Sequence, residues 1–322
     1  TILDPSLTLR NIRWDDLSAV AKLIYDVCFA DGDATIATSA ADLKNWWETD
    51  GFDISKDAFV VETQDGQIVG YEEMVDQKSH ADLEADGYVH PKFKGMGVGT
   101  SLLRAAEARA REHLAMAEPD LRVFMRVTTD NRDETGKAMF AYEGYSVIRY
   151  YWRMEIKLTE APPAVVFPSG IELRPFVKEE HARAVWEADN EAFRDHWGNH
   201  ETTFEEWQHK KFGKEDFDPT LWMIAWDGNQ IAGFAQNRFR SGIGWIGTLG
   251  VRRAWRKRGL GLALLTHSFG EFYNRGMTTI GLGVDASNLT GATRLYQRAG
   301  MRAASEFVAF EKELRAGRSL EE

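Results

Sequence analysis

The sequence predicts two tandem α/β domains, each an α+β sandwich in which helices flank a mixed sheet. Three observations carry this expectation. The chain has 322 residues, enough for two cores of ordinary size. Its two halves resemble each other at a near-constant offset. Each half also interleaves helical and strand patterns in the same order.

The repeat can be followed along the chain. Leu9-Arg10 is matched by Leu173-Arg174, and the acidic pair Asp15-Asp16 by Glu179-Glu180. DVCFAD and NEAFRD close similar helices and align Phe29 with Phe193. FVVETQDGQIVGY resembles WMIAWDGNQIAGF; each reads as two strands joined by an Asp-Gly turn, at Asp65-Gly66 and Asp227-Gly228. VHPKFKGMGVGTSLL then resembles VRRAWRKRGLGLALL. Positions 10 and 174, 29 and 193, and 89 and 251 lie 164, 164 and 162 residues apart. Solenoid repeats are much shorter, so this is a duplicated domain. KLTEAPPAVVFPSG (157–170) has three prolines and no helical period, and reads as a linker. The expected domains are 1–158 and 171–322, with 159–170 between them.

Each copy opens with a strand and one or two helices, followed by three strands. A helix over about 97–113 or 259–274 comes next. A strand follows, LRVFMRVTT or TTIGLGVDA, then a short helix. YSVIRYYWRMEI or RAASEFVAFEKEL closes the copy. Leu260, Ala263, Leu264 and Phe269 recur at helical spacing, and their face is expected to pack on the sheet.

Composition narrows the function. Apolar residues make up 43%, which argues against disorder, and the net charge of −11 argues against a nucleic-acid partner. Cys28 is the single cysteine, so no internal disulfide framework exists, as in a reducing cytoplasm. No apolar run is long enough to span a bilayer, and the start has no basic-then-apolar signal pattern. A soluble cytoplasmic protein with no membrane partner is expected. Thr1 is not a translation start, so an initiator or a longer N-terminus is expected before it.

The stretch 251–265 concentrates charge. Arg252, Arg253, Arg256, Lys257 and Arg258 fall within seven positions, and Gly259 and Gly261 follow. The strand ending at Val251 leads through this loop into a helix. A helix N-terminus exposes unpaired N–H groups and positive dipole character. Glycine there lets an anion approach the backbone without a Cβ in the way. The run reads either as a solvated charged surface or as a phosphate cradle, and the adjoining glycines favour the cradle. No Walker pattern is present. GMGVG (95–99) has the look of a dinucleotide fragment, but that fingerprint opens a domain on its first strand, and this one lies mid-domain.

These residues resemble the acyl-CoA-binding signature of the GNAT acetyltransferases, Val-x₄-Arg/Gln-x-x-Gly-x-Gly/Ala. Arg256, Gly259 and Gly261 fill its fixed positions, and Lys94, Gly97 and Gly99 match them in the first copy, with Lys for Arg or Gln. A second family signature resembles NLTGATRLYQRAGM, through Asn288, Ala292, Leu295, Tyr296, Gly300 and Met301. NRDETGKAMFAYEGY is its counterpart, through Asn131, Ala138, Met139, Phe140, Gly144 and Tyr145. The likeness covers nearly the whole chain as two GNAT-like domains, each a mixed, mostly antiparallel sheet flanked by helices. The layout is similar to that of the mycothiol synthase group; that likeness does not carry a substrate over.

The resemblance implies acyl transfer from acetyl-CoA to a primary amine by direct attack in a ternary complex, with no metal. The pyrophosphate would lie on Arg256, Lys257, Arg258, Gly259, Leu260, Gly261 and Leu262, with Asn288 nearby. The pantetheine arm would pair with an exposed strand edge at Leu249, Gly250 and Val251, where an N–H can polarise the thioester carbonyl. In the first copy the counterparts are Tyr88 and Val89 on the strand, then Lys94, Gly95, Gly97, Gly99 and Thr100. Tyr296 occupies the position of the family's thiolate-protonating tyrosine; read alone, it is a half-buried aromatic capping the core. Phe140 stands there in the first copy and has no proton to give. The first domain is therefore expected to bind CoA but to be a poor catalyst or a structural partner.

The general base is left open. SGIGWIGTLGV has no carboxylate, whereas HADLEADGYV offers Glu84 and Asp86. In the second copy Glu191, Asp195 and His196 are the candidates, each otherwise part of a solvated acidic helix end. Asp189, Glu191, Asp195, His196, His200 and Glu201 follow no metal-ligand spacing. Acidic residues interleaved with Trp46, Trp47, Trp197 and Trp207 suit a small cationic amine as acceptor. The competing reading is a non-catalytic acyl-CoA-binding or regulatory module.

Overall fold

The computed structural model describes residues 2–197, 199–287 and 291–320. The chain forms two compact units. One holds the residues up to Tyr150 together with those from Phe307 onward; the other is Tyr151–Glu306.

The first half of the chain contributes β1 (Leu7–Asn11), α1 (Leu17–Ala30), α2 (Ala40–Trp47), α3 (Ile54–Asp57), β2 (Ala58–Thr63), β3 (Ile68–Lys78), β4 (Asp82–Val89), α4 (Val98–Glu112), β5 (Val123–Asp130), α5 (Glu134–Tyr142) and β6 (Ser146–Lys157). The second half repeats the order with β7 (Ile171–Pro175), α6 (Lys178–Phe193), α7 (Phe204–Phe212), β8 (Trp222–Asp227), β9 (Gln230–Arg240), β10 (Ile243–Val251), α8 (Leu260–Asn274), β11 (Thr279–Asp285), α9 (Ala292–Arg298) and β12 (Arg302–Arg315). The Asp-Gly turns do join β2 to β3 and β8 to β9. Residues 159–170 have no helix or strand.

In the first unit β1 to β5 lie in sequence order, antiparallel except for the parallel pair β4–β5. In the second, β7 to β11 repeat this, with β10–β11 parallel. The closing strands depart from the sequence reading. Phe307–Arg315 of β12 pairs with β5, and Tyr151–Lys157 of β6 pairs with β11. Each sheet is thus completed by the closing strand of the opposite sequence half. The expected boundaries at 158 and 171 shift accordingly: the units part within β6 and again within β12. The physical reason is that β6 and β12 carry the same kind of strand pattern, and local pattern does not specify a partner.

Apolar periodicity fixes the helices against these sheets. Leu260, Ala263, Leu264, Leu265, Phe269 and Phe272 of α8 are buried, as are Val98, Leu102, Leu103, Ala106 and Ala110 of α4. α7 starts at a capping box, Thr203 with Glu206.

Two features open a cleft in the second unit. The β10–β11 pairing is limited to Gly244–Trp245 against Ile280–Gly281, and a bulge follows between Ile246 and Thr248. Beyond it the two parallel strands separate, leaving backbone edge exposed. The β4–β5 pairing likewise stops at Ala85. Among the described residues, no helix is long and apolar enough to cross a membrane.

Candidate active site

The gap beside β10 is a cleft of about 1110 Å³ within the second unit. Its walls are the 246–251 edge, the start of α8, the ends of β11 and α9, and one face of α6. Leu249, Gly250, Val251, Arg256, Lys257, Gly259, Leu260, Gly261, Leu262 and Tyr296 all line it. Gly250 allows the ring of Phe234 to press on the strand from behind: a Cβ there would lie 2.4 Å from the ring.

The start of α8 has the form of an anion cradle. Gly259 is left-handed (φ 84°) and no side chain caps the helix, so its first N–H groups stay available. A Cβ added at Gly259 would meet nothing within 4 Å, so the approach is open. Lys257 is also left-handed (φ 63°), at the place where the first copy has Gly95 (φ 85°). A non-glycine residue there carries a backbone cost of about 1–3 kcal/mol.

The basic run divides its labour. Arg252 pairs with Glu191 at 2.6 Å and Arg253 with Asp195 at 2.5 Å. Arg256 donates to the carbonyls of Val251 (3.1 Å) and Ala192 (2.9 Å), bracing the loop between β10 and α6. Among the described residues Lys257 and Arg258 have no partner, and of these two Lys257 lines the cleft. Two charges thus serve α6, one fixes the loop, and Lys257 faces the ligand space. Asn288 lies outside the described residues.

Tyr296 sits on α9 with 9% of its surface exposed. No described residue hydrogen-bonds its hydroxyl. Burial pushes its pKa up to about 12, so it remains protonated through the neutral range.

Of the three base candidates in the second copy, His196 faces the cleft and Glu191 and Asp195 do not. Glu191 and Asp195 are engaged by arginines and do not line it. Asp189 and His196 do, together with Lys211. Asp189 Oδ2 accepts from Trp207 Nε1 (2.8 Å) and Gln236 Nε2 (3.2 Å), and lies 3.5 Å from Lys211 Nζ. Lys211 Nζ also donates to Thr248 Oγ1 at 2.9 Å, beside the bulge. Burial holds Lys211 below the usual lysine range, against the pull of Asp189. Burial, then the charge of Arg256, holds His196 below the usual imidazole range.

The first unit carries the second cradle in altered form. Gly97 (φ 79°) precedes α4, with Gly99 and Thr100 in its first turn. However, the backbone of Ile2 lies over Gly97: a Cβ there would be 2.3 Å from the Ile2 carbonyl oxygen. Asp4 N–H also bonds the Met96 carbonyl at 3.0 Å. Lys94 and Gly95 form the loop before this covered turn, and Tyr88 and Val89 end β4 beside it. Phe140 is core, packed on Tyr145 and Phe310.

Carboxylates crowd the first unit's β3 and β4. Glu84 accepts from Gln77 Nε2 at 2.9 Å, Asp86 from the Tyr88 hydroxyl at 2.9 Å, and Glu73 from Trp46 Nε1 at 2.9 Å. Glu73 is pushed up to about 8, first by burial, with Tyr71 and Trp46 pulling the other way and Asp86 adding to the rise. Glu72, Glu84 and Asp86 are raised too, each first by burial. The folded state thus holds protons that the unfolded chain has released. Stability from Glu73 is present at low pH and lost as pH rises from the ordinary carboxylate range to about 8. The thermal midpoint is expected to fall across that window, and Glu73→Gln to flatten the fall. An unchanged slope in the variant would contradict this assignment.

The acetyltransferase (GNAT) family model matches residues 182–301, and an acetyltransferase (GNAT) domain model matches 55–147. A mycothiol acetyltransferase of Kineococcus radiotolerans is 30% identical over 259 residues, covering 78% of this chain and 80% of its own. That of Streptomyces scabiei is 29% identical over 250 residues, covering 77% and 75%. A solved GCN5-related N-acetyltransferase from Sphaerobacter thermophilus is 36% identical with a TM-score of 0.82, over 99% of both chains.

The chain belongs to the GNAT acetyltransferase family. Its two units are tandem GNAT domains, and the family's donor is an acyl-CoA. The tandem GNAT protein of the clavulanic acid pathway shares the fold at 16% identity, with a TM-score of 0.73 over 97% of this chain and 100% of its own. For this GNAT chain, Asp189, Lys211 and Thr248 are the cleft groups that motif reading passed over. A signal for Asp189 exists: Asp189, Ala192 and Phe193 recur at i, i+3 and i+4, one helical face of α6. Glu191 and Asp195 fall off that face.

Proposed function

We propose that the protein is an acetyl-CoA-dependent N-acetyltransferase acting on a primary amine of a small molecule, and that transfer occurs in the cleft of the second unit. The observation that carries this is the convergence, in one cleft, of an open uncapped helix start, an exposed strand edge and Tyr296. The pyrophosphate lies on the N–H groups of α8 with Lys257 beside it, and the pantetheine arm extends along 249–251. The bulge beside Thr248 leaves a backbone N–H to polarise the thioester carbonyl. Asp189 draws in the ammonium of the acceptor, and the Asp189–Lys211 pair takes up its proton. The neutral amine attacks the carbonyl carbon, the carbon–sulfur bond breaks, and Tyr296 donates to the departing sulfur.

Two curated relatives described above are named mycothiol acetyltransferases, which supports a small-molecule acceptor. The carboxylate in the cleft, with Trp207 behind it, supports a cationic one. The test is CoA release from acetyl-CoA over a panel of cationic, neutral and anionic amines. Turnover with the cationic members is expected. A preference for neutral or anionic acceptors contradicts the charge argument, and tight acetyl-CoA binding with no turnover on any amine favours a binding module.

A further inference from the structure

Asp76, His80 and His113 bring three ligand atoms together in the first unit, away from its cradle. Asp76 lies near the end of β3, His80 in the tight turn into β4, and His113 directly after α4. Asp76 Oδ2 is 2.7 Å from His80 Nδ1, His80 Nδ1 is 3.0 Å from His113 Nδ1, and Asp76 Oδ2 is 4.0 Å from His113 Nδ1. Four ligands about 2.0–2.1 Å from a tetrahedral metal stand roughly 3.3 Å apart, close to the mean of these separations.

The local backbone is shaped to hold this arrangement. Ser79 and His80 are both left-handed (φ 56° and 57°), a conformation that costs a non-glycine residue free energy. The Asp76 carboxylate accepts the His80 backbone N–H at 3.0 and 3.1 Å, fixing the turn around it. On the other side, His113 is 5% exposed and presents Nδ1 to the cluster. Two imidazole nitrogens facing each other at 3.0 Å are satisfied either by one shared proton or by one cation, and the adjacent carboxylate oxygen favours the cation.

We propose that Asp76, His80 and His113 form a binding site for a divalent transition-metal ion, zinc by its ligand chemistry. The His80 side chain is 40% exposed, so solvent reaches the site and water completes the coordination. The ion ties the β3–β4 turn to the end of α4. It stands apart from the acyl-transfer cleft and takes no part in that chemistry.

The full chain, stripped with chelator, is reloaded with Zn²⁺ and desalted, and its metal content and thermal midpoint are measured. Co²⁺ loading reports coordination by its d–d absorption. The expected results are about one retained Zn²⁺ per chain, a midpoint raised by several degrees, and a four-coordinate Co²⁺ spectrum. His80→Ala and Asp76→Asn, both at partly exposed side chains, should lose all three while keeping a wild-type circular dichroism spectrum. No retained zinc in the wild type, or undiminished zinc in both variants, overturns the proposal.

Discussion

Tyr296→Phe is expected to lower kcat by about 100-fold or more, with the KM for acetyl-CoA nearly unchanged. The substitution removes one oxygen and keeps the ring that packs among Phe269, Leu282 and Met301. Folding is therefore preserved, and the loss reports chemistry alone. Its hydroxyl has no partner among the described residues, so no internal hydrogen bond is broken. With a pKa of about 12, the donor form persists across the usual assay range. No alkaline limb from Tyr296 should appear in the pH–rate profile below that value. Such a limb at pH 8 or 9, or full activity in the variant, would assign the proton donor elsewhere. The measurement is steady-state CoA release as a function of both substrates and pH.

Asp189→Asn is expected to reduce kcat/KM for a cationic amine by about 100-fold, and much less for a neutral one. The asparagine carbonyl oxygen can still accept from Trp207 and Gln236, so the wall of the cleft keeps its shape. What disappears is the charge opposite the incoming ammonium and beside Lys211. Lys211, already below its usual range through burial, then lacks its counter-charge. Equal losses for cationic and neutral acceptors would mean that Asp189 only supports the wall. Initial rates for matched amine pairs decide between these outcomes.

Much of this site was legible because its signals are local. Gly259 and Gly261 follow a strand and begin an apolar-periodic helix, and α8 starts where that pattern places it. Tyr296 was singled out by the resemblance of NLTGATRLYQRAGM to a family signature, and it lines the cleft. Other features depend on direction and partner, which residue type alone does not encode. Glu191 is at the right end of the right helix, but points to Arg252. Asp189, two residues earlier, shares the helical face of Ala192 and Phe193 and lines the cleft. The exchange of closing strands was hidden because β6 and β12 suit either sheet edge. The cover on the first cradle comes from Ile2, remote in sequence from Gly97, and no motif announces it.

In the proposed mechanism acyl transfer takes place in the second unit. It is tested most directly by comparing turnover of Tyr296→Phe with that of Glu84→Gln under saturating acetyl-CoA and the best amine of the panel. Glu84 is the carboxylate that sequence reading placed beside the first cradle, and it is bonded to Gln77. Near-wild-type turnover is expected in Glu84→Gln and a loss of about 100-fold in Tyr296→Phe. Collapse of activity in Glu84→Gln, with Tyr296→Phe unaffected, would contradict it and move the chemistry to the first unit.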